Sequence, residues 1–412
     1  MELSTMTKVR AKKAGWSEDL IERIEASAAT DQQVENLARG ELSEAKISGW
    51  LEFMENHPDN PFSSAPFNIF KTPAEIGLKA TPGPDGLRLR DINIGSYGVV
   101  PDQWALPNDA PRGTESTGQI MAAGYSIFDK AEVWSENAVD LYEDAIKDRW
   151  IPATELDWEN GLAELPEEME RSVGQICTIY SNNGLVEQKI IGRWLEEISY
   201  GFHEVKLFLA TQVYDAGRKV EVLRKRALIN GGGLGQAPLG QIYRGWYQGL
   251  TFTDMIIALD VVYKSYEVTL FESASEWAQT DVERDIFALI AKDSRRHLDY
   301  GIAHLDWYTR YKPEADKRLN IQFLRAEAAM VQEMRLSTTE REALIVLLAG
   351  GVENLQAGVD KLKTLRQRQY DSYMENLASI NFDRPAAHPG LVGQIKDPLE
   401  GGIVAVRAVA QN

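Results

Sequence analysis

Two stretches of the chain set an acid and basic groups at one repeated spacing. Asp215, Arg218 and Lys219 stand in Gln212-Val213-Tyr214-Asp215-Ala216-Gly217-Arg218-Lys219-Val220-Glu221. Asp293, Arg296 and His297 stand in Ile290-Ala291-Lys292-Asp293-Ser294-Arg295-Arg296-His297-Leu298-Asp299-Tyr300-Gly301. Both follow Asp-x-x-Arg-x. A histidine beside a carboxylate is the raw material of a metal ligand, but a metal ordinarily takes three or more protein ligands. Spacing alone therefore favours a hydrogen-bonded structural role for His297. Arg218 and Arg296 read as partners of acids such as Asp215, Glu221 or Asp299.

The remaining candidates are weaker. His304 lies seven residues after His297, yet neither has a second acid on its turn. His203 reads as ordinary, and His57 and His388 fall in proline-flanked segments. Tyr214, Tyr263, Tyr266 and Tyr300 read as core aromatics with satisfied hydroxyls. Arg218, Lys219, Arg224, Lys225 and Arg226 spread around one helix rather than forming a stripe for nucleic acid. The run Asn230-Gly231-Gly232-Gly233-Leu234-Gly235 reads as a helix stop, not as a phosphate cradle, because it follows a helix and not a strand. No nucleophile elbow, Walker motif or zinc signature is present.

These residues need helices to position them. From about 130 to 379 apolar residues recur three and four apart and proline is scarce, predicting helices at 133–149, 167–180, 183–200, 203–229, 251–277, 281–311, 316–334 and 338–375. Residues 1–57 read as short polar helices, with Ser17 capping the run from Asp19 to Ala28. Between 58 and 125 the density of proline and glycine predicts an irregular arm, with one short strand within 87–100. Residues 381–412 read as an irregular tail.

Composition narrows the class. The 412 residues are 44% hydrophobic and 26% charged, enough for a substantial core. Sixty-two acidic against 44 basic residues give a net charge of −18, which argues against nucleic acid as a partner. The single cysteine, Cys177, excludes an internal disulfide framework. No apolar run is long enough for a membrane span or follows the basic N-terminus as a signal peptide would, so a cytoplasmic location is expected.

The two stretches resemble the paired Asp-Glu-x-Arg-His signature of the ferritin-like di-iron carboxylate superfamily, which includes bacterial oxygenases and ribonucleotide reductase small subunits. Trp134-Ser135-Glu136-Asn137, Ala153-Thr154-Glu155-Leu156-Asp157-Trp158, Phe208-Leu209-Ala210-Thr211-Gln212, Lys225-Arg226-Ala227-Leu228 and Tyr300-Gly301-Ile302-Ala303-His304-Leu305 are similar to its oxygenase-like branch, over roughly residues 130–310. The resemblance implies an all-α, ferritin-like four-helix bundle with additional helices. Residues 1–125 would be an N-terminal part with an irregular arm, 126–380 the helical domain and 381–412 the tail.

It also implies a degenerate metal site. In that family a Glu from each of two helices and a Glu-x-x-His pair from each of the other two hold two metals. Here the paired Glu positions are Ala216 and Ser294, and the His positions are Lys219 and His297. One lone Glu position falls at Gly184 or Glu187; the other falls near Lys264, with Asp260 and Glu267 a turn either side. At best Glu187 and His297 survive. Two irons balance about four carboxylates, and without metal those carboxylates would repel. Lys219 and Lys264 supply replacement positive charge. The expectation is a charge-paired centre with no cofactor, in which Asp215 bonds His297 and Asp293 forms a salt bridge with Lys219.

The function so implied is a catalytically degenerate oxygenase-like protein. It would serve as a scaffold or inactive partner, as a homo-oligomer or in a heteromer with an intact ferritin-like homologue. The alternative is an active oxidoreductase with a non-standard centre. Such a centre would use Lys219 or Lys264 as base or Schiff-base nucleophile. Otherwise it would hold one iron or manganese on Glu187, His297, Glu267 or Asp260.

Overall fold

Ser4 and Ser17 each turn a side-chain oxygen onto a backbone N–H three residues on, Thr7 and Leu20, and so start the first two helices. The computed structural model describes residues 2–27, 31–39, 43–56, 75–104, 110–114, 124–382 and 384–400. The chain divides into two compact units. The first comprises Met1–Lys79, Ile94–Tyr97 and Ala110–Gln119, and the second holds the rest. In the first unit run α1 (Thr5–Lys13), α2 (Glu18–Ala26), α3 (Asp31–Arg39), α4 (Glu44–Asn56) and all but the last residue of the single turn α5 (Gly95–Gly98). Their composition is polar, yet they bury a core of their own around Trp16, Leu20, Ile24, Val34, Leu37, Ile47 and Leu51. Ion pairs Lys8–Glu25 and Arg10–Glu35 lie over it. Of the proline- and glycine-rich arm, 57–74, 105–109 and 115–123 lie outside the described residues, as does the tail beyond 400. The strand expected within 87–100 is instead a 3₁₀ turn, Leu89–Ile92, in which Asp91 accepts from the Arg88 N–H and closes a helical cap.

The second unit is a helical bundle. It comprises α6 (Ala138–Lys147), α7 (Glu167–Glu197), α8 (His203–Ile229), α9 (Ile242–Tyr247), α10 (Phe252–Ile256), α11 (Lys264–Trp277), α12 (Asp281–Tyr311), α13 (Asp316–Leu336), α14 (Thr338–Ala349), α15 (Leu355–Ser379) and α16 (Pro389–Lys396). A π-helical segment, Ile257–Tyr263, joins α10 to α11 without a break. Among the described residues there are isolated bridges but no strand, so the chain is all-α. No described helix is long and apolar enough to cross a membrane. Helices α7 and α8 pack along their lengths, as do α11 and α12. Helices α14 and α15 pack on the outside of α7 and α11.

Three boundaries differ from the sequence reading. Helix α7 is one helix of 31 residues and does not break between 180 and 183. Its weak helix formers there have tertiary work: Ser181 bonds back to Thr178 O (3.0 Å) and Asn183 donates to Tyr263 Oη (3.0 Å). The single helix expected over 338–375 breaks at Gly350 and Gly351, whose φ angles of +78° and +141° suit glycine alone. The tail holds one ordered helix, α16, preceded by Arg384, which pairs with the buried Glu327 at 2.6 Å.

At Gly184 helix α7 lies close against α8. A Cβ there would lie 2.9 Å from Val220 Cγ2 and 3.0 Å from the Ala216 carbonyl oxygen. We expect Gly184→Ala to cost about 1–3 kcal/mol by pushing the helices apart, read as a fall in the urea midpoint at constant slope. A variant as stable as wild type would show that the pair has slack.

Candidate functional site

Three helices turn four charged side chains to one point. Glu187 comes from the middle of α7, Lys219 from α8, and Lys264 and Glu267 from the first turn of α11; all are buried. Lys219 Nζ lies 2.5 Å from Glu187 Oε1 and 2.6 Å from Glu267 Oε1. Lys264 Nζ lies 2.8 Å from Glu187 Oε2 and also pairs with Glu267 Oε2. Each ammonium therefore bridges both carboxylates, and each carboxylate holds both ammoniums. From α12, Ser294 Oγ donates to Glu267 Oε2 at 2.9 Å, and the Tyr263 hydroxyl donates to Glu267 Oε1 at 2.7 Å. Burial alone would raise the Glu267 carboxyl, but Lys219 and Lys264 outweigh it and hold that group well below the usual range. Burial alone would lower Lys264, but Glu187 and Glu267 outweigh it and hold its ammonium above the ordinary value.

Beside this square lies a second ionic ring. Asp215 and Asp293 face each other between Arg218 and Arg296. Arg218 is 2.9 Å from Asp293 and also pairs with Asp215; Arg296 is 3.1 Å from Asp215 and also pairs with Asp293. The Trp150 indole donates to Asp293 Oδ2 at 2.9 Å. His297 Nε2 donates to Asp215 Oδ2 at 3.2 Å, while its Nδ1 has no partner among the described residues. Burial pushes His297 below its ordinary value against the pull of Asp215. Burial and the neighbouring Asp215 charge push Asp293 up to about 6.

The expected Lys219–Asp293 salt bridge is absent; Lys219 takes Glu187 and Glu267 instead. The two arginine forks grip both aspartates, and the lysine reaches across to α7 and α11. The Asp215–His297 bond is present. Asp260 sits apart from the square. Its Oδ2 accepts from Gln212 Nε2 at 3.3 Å and its Oδ1 is orphaned, as is Gln212 Oε1. Burial pushes Asp260 up to about 7 against the Gln212 bond. His304 is satisfied on both nitrogens, by the Trp134 carbonyl (2.9 Å) and the Thr253 hydroxyl (3.0 Å). Cys177 is fully buried, which pushes its thiol up to about 12.

Sequence reading did not reach Asn183, Tyr243 or Trp150. Tyr243 donates to Asn183 Oδ1 at 2.9 Å, continuing the chain from Glu267 through Tyr263 and Asn183 toward α9. The π-helical segment was also invisible. It explains why Asp260, Lys264 and Glu267 all competed for one ligand position. The wider turn shifts the register between Asp260 and Lys264, so a spacing of three or four does not decide which residue points inward.

The arrangement does not fit two metals. Ala216, Ser294 and Gly184 carry no carboxylate, and two ammonium groups sit between the only two glutamates. The space left at the centre is about 10 Å³, lined by Glu187, Ala216, Lys219, Lys264, Ser294 and His297 among others. That is room for one water at most. Among the described residues no group of three or more His, Cys, Asp or Glu is placed to hold a metal ion. The glycine loop after α8 lines a surface cleft of about 1270 Å³ together with Glu164, Glu167, Glu168 and Glu342. Those charges would repel a phosphate. Two of the loop's glycines serve close approach, since a Cβ on Gly232 would fall 2.9 Å from the Glu170 carbonyl oxygen and one on Gly235 2.9 Å from Gln175 Cα.

Comparison with family models finds none that matches the chain, and no curated protein or solved structure matches it.

Proposed function

We propose that this chain is a catalytically degenerate, oxygenase-like member of the ferritin-like superfamily. In this reading it is a metal-free scaffold that acts through partner subunits, as a homo-oligomer or beside an intact ferritin-like homologue in the cytoplasm. One observation carries the proposal. Lys219 and Lys264 each bridge Glu187 and Glu267, so the two carboxylates at the centre are neutralised by the chain's own cations. Two ammoniums against two carboxylates close the balance without a guest.

The alternative of lysine chemistry finds less support. A catalytic amine must spend time unprotonated, and the Lys264 ammonium is held above its ordinary value. A Schiff base needs space for a carbonyl substrate, and about 10 Å³ does not hold one.

The test is metal content. Purified protein is loaded anaerobically with ferrous iron or manganese, desalted, and counted by mass spectrometry. The expected result is well below 0.1 metal per chain, and a thermal midpoint unmoved by chelator. About two metals per chain would restore a di-iron reading; about one would point to a mononuclear site on His297.

A further inference from the structure

Next to the centre, on the far side of Tyr263 and Glu267, lies a cavity of about 40 Å³. It is walled by α7, the π-helical segment, α11, α13, α14 and α15, and three further charged side chains face it: Glu333, Glu340 and Arg366. All three are at least nine-tenths buried. Among the described residues, Arg366 has one hydrogen bond, from Nη1 to Gln369 Oε1 at 2.9 Å, and no carboxylate in ion-pair reach. Glu340 accepts from the Tyr180 hydroxyl at 3.0 Å and Glu333 from the Ile242 N–H at 3.1 Å; neither meets a cation.

A buried arginine and a buried carboxylate that both line one cavity without touching are each costly alone. The cavity is lined by polar and apolar groups in similar measure and has room for about three waters, at one per 10–15 Å³. We propose that it is a built solvent site, in which ordered waters complete a water-mediated ion pair between Arg366 and Glu340. Glu333 borders it too, and burial and the nearby Glu340 charge raise its carboxyl above the ordinary value. This would tie α14 and α15 to the π-helical segment through a polar bridge where apolar packing leaves a gap. It does not depend on the metal-free reading of the centre, since neither Arg366 nor Glu340 is at a ligand position.

Two measurements test it. A high-resolution crystal structure of the full chain should show two to four waters in the cavity, at least one within 3.2 Å of an Arg366 nitrogen and one within 3.2 Å of a Glu340 oxygen. A dry cavity, or Arg366 and Glu340 in direct contact, would overturn the proposal. The second measurement is a double-mutant cycle in urea. Arg366→Met should shift the folding equilibrium about a hundredfold toward unfolded, because it leaves Glu340 buried alone. Arg366→Met with Glu340→Met should recover at least tenfold of that. Additive losses would overturn the pairing. A midpoint that rises with potassium but not with tetramethylammonium at fixed ionic strength would replace the waters by a cation and overturn it as well.

Discussion

Lys264→Met should destabilise the helical unit by about 3–5 kcal/mol at pH 7, the usual cost of removing one partner from a buried ion pair. Methionine preserves most of the stem and its packing, so the loss isolates the ammonium. Glu187 Oε2 and Glu267 Oε2 would both lose their contact to Nζ. Ser294 and Tyr263 would still donate to Glu267, while Lys219 alone would face two carboxylates. One acid would then take up a proton on folding. Its folded pKa would stand above its unfolded value, so the variant would lose stability relative to wild type as pH rises through the neutral range. Lys264→Met with Glu187→Gln restores one cation to one anion and should recover about half of the loss. Urea unfolding followed by circular dichroism at pH 5 and pH 8 checks both statements. A single-variant loss below 1 kcal/mol, equal at the two pH values, would mean that Lys264 does not compensate a buried charge.

The residues of the square were legible in the sequence; their pairing was not. Periodicity placed Glu187, Lys219, Lys264, Glu267 and His297 in long helices, and the resemblance to the ferritin-like signature drew attention to Lys219 and Lys264 near acids. Which acid each lysine meets depends on reach across a bundle, not on spacing along a helix. Arg218 and Arg296 take Asp293 and Asp215 in cross-pairs that a one-dimensional reading assigns only within each helix. The π-helical segment hid the register of α11, because apolar residues run unbroken from Val261 to Tyr263 and carry no punctuation. Elsewhere the signal was present but outweighed. Gly350 and Gly351 sit inside the apolar stretch Ala343 to Val352, and the apolar run masked the break. Leu20, Ile21 and Ile24 lie on one face of α2 and bury the core of the first unit, although the surrounding residues are polar enough to suggest surface helices.

Asp260→Asn should raise stability at pH 8 and leave it nearly unchanged at pH 4. Asp260 is fully buried, one of its oxygens is orphaned, and the one beside it on Gln212 is orphaned too. Burial raises its carboxyl from an ordinary 3.8 to about 7. The folded chain therefore holds a proton that the unfolded chain releases between about pH 4 and 7. Across that window stability falls as pH rises, and above it the full cost of a buried carboxylate remains. At 1.36 kcal/mol for each pH unit, a rise of about 3 units corresponds to roughly 4 kcal/mol between the two ends. Other groups face Asp260. Lys264, on the helix that continues from its own segment, favours the charged form, while Glu187 and Glu267 oppose it. Asp293 and Glu267 are shifted as well, so the absolute pH curve is a sum. The difference between variant and wild type removes those common contributions and leaves Asp260 alone. Asparagine keeps the shape, removes the charge, and offers an N–H to the orphaned Gln212 oxygen. The gain should therefore grow from near zero at pH 4 to its full size above pH 7. A difference that is flat with pH would show that Asp260 is ionised in the folded chain. In that case some cation must lie against its free oxygen, and a metal at this position would become the next thing to look for.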